Sequence, residues 1–239
     1  MKATKLTLHL VVGLLCAGLS GGAIAGVIFS EDFSGDPSKW NNERGSWRIL
    51  DGTYDAVSPS NNPTTYTQAN TALLTDFTVE VNVLVWHDGG VCLRSSYAGG
   101  QASGVMLITG GGVGSGDGLY WHVVQNDVGL NGWQVYENTP DLGLRGGNHR
   151  LKVEVQGNTY QAFVDGVLKS TLVDSTFSSG YFGLYDFSSS FGTDARGQRF
   201  DNVAISTAGN GTPTVPEPAT LALLGLGLAG IGFSRRRQS

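Results

Sequence analysis

Residue types able to do chemistry are sparse in this 239-residue chain. Cleaving a glycosidic bond with retention needs two carboxyl groups about 5 Å apart, one of them kept protonated. Glu31 and Asp32 are adjacent, so on a strand they face opposite ways. Glu80 and Glu154 each stand alone among apolar neighbours, as residues on the solvated side of a strand do. Carboxylates gathered from distant strands stay open as an alternative. The one Gly-x-Ser-x-Gly run, at 18–22, falls in an N-terminal leader and is not read as a hydrolase elbow. His87, His122 and His149 lack the short spacing of a zinc site. Residues 99–118 hold nine glycines, yet lack the Gly-Lys-Ser/Thr ending of a phosphate loop. In 111–116 glycine stands where a calcium-binding nonapeptide repeat needs Asp. The stretch reads as a mobile surface loop joining two strands.

Aromatic rings with polar neighbours are the better signal, because flat faces and a few fixed polar groups recognise sugars. The candidates are Trp86, Arg94, Tyr97, Tyr120, Trp121, Trp133 and Tyr185 with Asp186. About half of these rings are expected in the core instead, and Trp40 and Trp47 are read as core. The formal net charge is -5. Setting the two ends aside removes Lys2, Lys5, three terminal arginines and Glu217, leaving 10 basic and 19 acidic residues and a net of -9. A nucleic-acid binder needs a basic footprint, so no nucleic-acid partner is expected.

The ends read as addresses. Lys2 and Lys5, the apolar stretch Leu6–Ser20 and Ala23-Ile24-Ala25 form a signal peptide over 1–25, removed by signal peptidase after Ala25. Cys16 leaves with it. Cys92 then has no internal partner, and its run Gly90–Leu93 reads as a buried strand. At the other end, 207–214 is a flexible linker. Val215-Pro216-Glu217-Pro218 follows, then an uncharged apolar helix over 219–233, then Arg235-Arg236-Arg237, which the positive-inside rule keeps cytoplasmic. This tripartite tail over 215–239 resembles the PEP-CTERM sorting signal of Gram-negative bacteria. The resemblance implies an exosortase partner and transient anchoring in the membrane through the helix. It also implies delivery to the cell envelope or the extracellular polysaccharide matrix. An ordinary single-span tail anchor is the alternative.

Between the ends the pattern alternates with period two. Phe77–Val83 continues through Trp86; Leu151–Gln156, Thr159–Val164 and Val167–Val173 are joined by the turn pairs Gly157-Asn158 and Asp165-Gly166, giving a three-strand meander. No sustained helical period interrupts them, so an all-β sandwich is expected. Several segments resemble concanavalin A-like (laminin G-like) jelly-roll domains over 26–206. They are Glu31-Asp32-Phe33 with Trp40, Gly45-Ser46-Trp47, Leu50-Asp51-Gly52, the Asp165-Gly166 hairpin, Gly180–Tyr185 and Arg199–Val203. The family includes lectins, glucanases, sugar-binding modules and 3-keto-disaccharide hydrolase-like domains. The resemblance implies an arginine at Arg94 on the concave sheet. It also implies a structural calcium ion between first and last strands, held by Glu31, Asp32, Asp36 and Asp201. The family's glucanases carry Glu-x-Asp-x-x-Glu on one strand, and no such run is present. The reading is therefore an exported, exosortase-sorted, non-catalytic glycan-binding or matrix module with a polysaccharide partner. A glycoside hydrolase-like enzyme and a ligand-free structural protein are its alternatives.

Overall fold

The computed structural model describes residues 26–35, 37–60, 65–110, 118–130, 136–139 (backbone only), 142–187 and 197–207. All of them belong to one compact unit, Ala25–Ala208. The expected signal peptide, nearly all of the linker and the sorting tail lie outside the described residues, as do Asp36 and Trp133. Apart from one 3-10 turn at Pro37–Lys39, the regular elements described are strands.

In chain order the strands are β1 (Val27–Glu31), β2 (Trp47–Leu50), β3 (Thr53–Ala56), β4 (Thr65–Gln68), β5 (Phe77–Leu84), β6 (Gly89–Ala98), β7 (Gln101–Thr109), β8 (Leu119–Gln125), β9 (Val128–Gly129), β10 (Tyr136–Thr139), β11 (His149–Gln156), β12 (Thr159–Val164), β13 (Val167–Val173), β14 (Tyr181–Asp186) and β15 (Arg199–Thr207). They form two antiparallel sheets. The first runs β13-β12-β11-β5-β15-β3-β2 with β1 alongside β15; the second runs β10-β8-β7-β6-β14-β4 with β9 alongside β8. Because β1 and β3 both pair with β15 on its free side, the start and end of the domain are stitched together.

The alternation read from the sequence lies on the first sheet. Phe77, Val79, Val81 and Val83 of β5 point inward, and their partners Thr78, Glu80 and Asn82 are only partly buried. Leu151 pairs with Val81 on one side and Val164 on the other, so the register places apolar beside apolar across three strands. The Asp165-Gly166 turn has positive φ at both residues (51° and 81°), which a tight hairpin requires. Glu80 and Glu154 sit on the outer side of this sheet in ion pairs with Arg150 and Lys152, as the pattern implied.

The second sheet is apolar on both faces, which period-two reading does not anticipate. Its inner face supplies Leu93, Leu107, Trp121 and Phe182 to the core between the sheets, with Trp40 and Trp47 also buried there. Its outer face carries a separate buried cluster: Tyr66, Cys92, Ala102, Met106, Ile108, Tyr120, Val124 and Tyr185. β6 is accordingly buried from Gly89 through Ser95 without alternation. The expected glycine-rich loop over 99–118 is corrected for 99–109, while 111–117 lie outside the described residues. Gly99-Gly100 is a tight turn (φ 58° and 80°), and 101–109 is β7, a central strand. Gly104 (φ 146°) serves close packing, since a Cβ there would stand 2.8 Å from the Ser95 Cα. Glycine is used for the approach of two backbones, a signal that composition alone reads as a loop.

Candidate functional site

The outer face of the second sheet gathers the candidate chemistry. In β8, Tyr120 and His122 point outward while Leu119, Trp121 and Val123 point to the core. The Tyr120 and His122 rings lie 5.1 Å apart. Tyr185 of β14 is outward and pairs across the sheet with Gly90 on one side and Tyr66 on the other. Gly183 lies under the Tyr66 ring, where any Cβ would stand 2.5 Å from the ring edge. That ring folds along the face, and its hydroxyl meets Gln68 and Ser95 at 3.0 and 2.7 Å.

At one end of the face sits Asp88, immediately before β6. Its Oδ1 is shielded from solvent with no hydrogen-bond donor on it among the described residues. Burial pushes this carboxyl up to about 6. Its charge in turn raises the phenols of Tyr185 and Tyr120, both held high mainly by burial. Burial also lowers His122, which favours its neutral form. At the other end, Arg44 and Asp127 form a bidentate pair (3.1 and 2.6 Å), with the Arg44 guanidinium 5.4 Å from the Tyr97 ring and also donating to the Gly100 carbonyl. Tyr97 is half-buried and stacks on Tyr66 at 6.0 Å. Between the ends lies a cavity of about 10 Å³, lined by Tyr66, Cys92, Met106 and Val124 among others, room for one water. Burial raises the Cys92 thiol well above its usual range, so the group is an inert filler.

Of the sugar candidates, Tyr97, Tyr120 and Tyr185 therefore share this face. Trp86 and Trp121 do not: both are fully buried between the sheets, with the Trp121 indole N–H donating to Ser170 Oγ at 2.8 Å. Tyr120 and Trp121 are neighbours on one strand, and so are Tyr185 and Asp186. Alternation sends each pair to opposite faces, and Asp186 is fully buried. Arg94 needs a correction of its own. Counting by two from Cys92 puts it outward, but its φ of 45° marks a bulge that turns it inward. There its guanidinium donates to the carbonyls of Thr75 and Phe177, to Tyr160 Oη and to Asp76. Gly180 makes the bulge possible, because a Cβ there would stand 2.2 Å from the Arg94 carbonyl carbon. Tyr66 and Asp88 are not among the sequence candidates, and His122 is weighed there only as a zinc ligand. His122 was recoverable, two residues beyond Tyr120 on the same strand.

A second carboxyl, Glu43, is also raised by burial while accepting the Gln68 N–H at 2.7 Å. Neither Glu43 nor Asp88 owes its shift to the other. Two carboxyl groups in the contact that retaining cleavage needs would each raise the other.

A hollow of about 350 Å³ lies elsewhere, on the seam between β1 and β15, lined by Ser30, Glu31, Asp32, Lys39 and Asn202 among others. This is where the resemblance places calcium. The described side chains do not fit that ion. Lys39 Nζ donates to the Ser30 carbonyl at 2.8 Å and lies 3.3 Å from Glu31 Oε2. Glu31 Oε1 accepts the Phe33 N–H, and Asp32 accepts from the Ser34 N–H and hydroxyl. Both Asp201 oxygens accept from Asn202.

Solved structures with this architecture include the carbohydrate-binding module CBM66 from Bacillus subtilis, at a TM-score of 0.55 and 21% identity, covering 71% of this chain and 96% of that one. An endo-acting O-glycanase of the human gut microbiota aligns at 0.54 and 13% identity over 77% and 100%. The β-glucanase of Bacillus licheniformis aligns at 0.50 and 17% over 77% and 98%. At these identities the likeness is one of fold, and the domain is a concanavalin A-like jelly roll. Residues 214–237 match the PEP-CTERM protein-sorting motif. That motif indicates exosortase processing, export and association with the envelope or exterior of a Gram-negative bacterium. No curated protein matches the chain in sequence.

Proposed function

We propose that the protein is a non-catalytic glycan-binding module of the envelope or exopolysaccharide matrix. Its binding surface is the Asp88, Tyr120, His122 and Tyr185 end of the outer face. One observation carries this reading: Asp88 is held largely desolvated beside two phenols, with one carboxylate oxygen left without a donor among the described residues. A largely desolvated, underbonded carboxylate costs stability, and such groups concentrate where a ligand supplies the missing donor. Sugar hydroxyls are donors of that kind. The fold neighbours include a carbohydrate-binding module, which favours the same reading. A neutral glycan is the better match, since Arg44 and Asp127 cancel one another and the domain is acidic overall, which repels uronate chains. Isothermal titration against neutral and uronate-rich bacterial polysaccharides tests the assignment. Binding to neutral chains that falls at least tenfold in Asp88→Asn supports it; no binding to any polysaccharide, or release of reducing sugar, refutes it.

A further inference from the structure

The hollow at the β1–β15 seam carries a separate conclusion. A jelly roll joined at its two chain ends faces an electrostatic problem there. Glu31 is 7% exposed, and its charge must be compensated where it lies. A divalent ion answers that need with six to eight oxygens drawn from side chains and backbone carbonyls. In this chain Oδ1 of Asp32 and both oxygens of Asp201 already accept from donors of their own turns. The Ser30 carbonyl and the buried Glu31 Oε2 both face Lys39 Nζ, at 2.8 and 3.3 Å. An ammonium is a compact point charge, so from its hydrogen bond to the Ser30 carbonyl Lys39 also compensates Glu31 Oε2 as an ion pair at 3.3 Å, without a hydrogen bond to it. Lys39 reaches them from the 3-10 turn Pro37–Lys39, directly before the core residue Trp40. Trp40 packs edge-on to Phe29 of β1 at 5.7 Å, which fixes the turn against the strand.

We infer that Lys39 is a built-in cation that does the work of a structural calcium ion, so the domain closes its first and last strands without metal. The stabilisation is intramolecular and does not depend on the calcium concentration outside the cell. It also brings a dependence on one side chain that a metal-bound relative does not have.

Thermal unfolding of the full chain tests this, in 5 mM calcium chloride and in 5 mM EDTA at matched ionic strength. The wild-type midpoint is expected to agree within about 1 °C between the two, because a ligand that does not bind the folded state cannot shift it. Lys39→Met is expected to lose about 3–8 °C in both media, since it strands the Glu31 charge. Lys39→Arg keeps the charge and is expected to stay within about 2 °C of wild type and equally blind to calcium. The arginine variant and the wild-type titration decide the matter even where the methionine variant does not fold. A wild-type midpoint that rises by several degrees in calcium overturns the inference. So does a Lys39→Met protein as stable as wild type.

Discussion

Replacing Asp88 with Asn separates stability from function at the outer face. Burial pushes the carboxyl up to about 6 in the folded protein from an ordinary 3.8. A raised acid pKa means the folded state holds its proton more tightly than the unfolded chain does. The associated stability is therefore fully present below about pH 4 and is lost as pH rises through about 6. Two pKa units at 1.36 kcal/mol each set an upper bound of about 3 kcal/mol on that loss. Solvent at the rim of a half-buried group reduces it, so about 1–3 kcal/mol is expected. Asparagine cannot ionise and escapes the penalty. Asp88→Asn should match wild type in urea denaturation at pH 4, pull ahead between pH 4 and 6, and stay about 1–3 kcal/mol more stable from pH 7 upward. The difference between the two proteins is the quantity to measure, because the other titrating groups cancel in it. The same substitution should weaken glycan binding, as residues kept for function at the expense of stability do. A difference that is flat with pH, or an asparagine variant less stable at pH 8, would refute the desolvation argument.

Other substitutions test the elements that shape the face. Arg94→Ala removes a buried guanidinium bonded to Thr75, Phe177 and Tyr160, and should cost about 3–5 kcal/mol in denaturant titration without altering the sugar preference of the surviving fold. Gly180→Ala forces a methyl against the Arg94 carbonyl; a loss of at least about 2 kcal/mol is expected by thermal melting. Trp121→Phe breaks the indole bond to Ser170 Oγ, and a double-mutant cycle with Ser170→Ala should return about 1 kcal/mol of coupling.

Much of the fold was legible because it rests on alternation and turn chemistry. The meander from 149 to 173 follows from Leu151–Gln156, two hairpin turns and the branched residues between them; the register of β11 on β12 is the one the apolar pattern demands, while a bulge at Ala162/Phe163 leaves Val167, Leu168 and Val173 exposed. The second sheet was harder. Covered on both sides, its strands lose alternation, and β7 hides behind glycines that serve close packing. The site was legible only in part. Listing rings by type found Tyr97, Tyr120 and Tyr185, but it also took Trp121 and Asp186, which lie one residue away and on the opposite face. Strand parity alone would have separated them. Arg94 was beyond parity, because a single left-handed residue reverses the face. Asp88 carries no pattern at all: its character comes from desolvation, a property of the folded surroundings.

The most direct test of glycan recognition uses the histidines as internal reporters. His122 lies beside Tyr120 on the proposed binding face, while His149 belongs to the first sheet and is bonded to Asp165 at 2.7 Å. A proton NMR titration with a neutral polysaccharide fragment follows both imidazoles in one sample. Recognition at the outer face predicts a saturable shift of the His122 resonances with His149 unmoved. Movement of His149 alone, or no saturable shift at His122 with any glycan that binds, would contradict it.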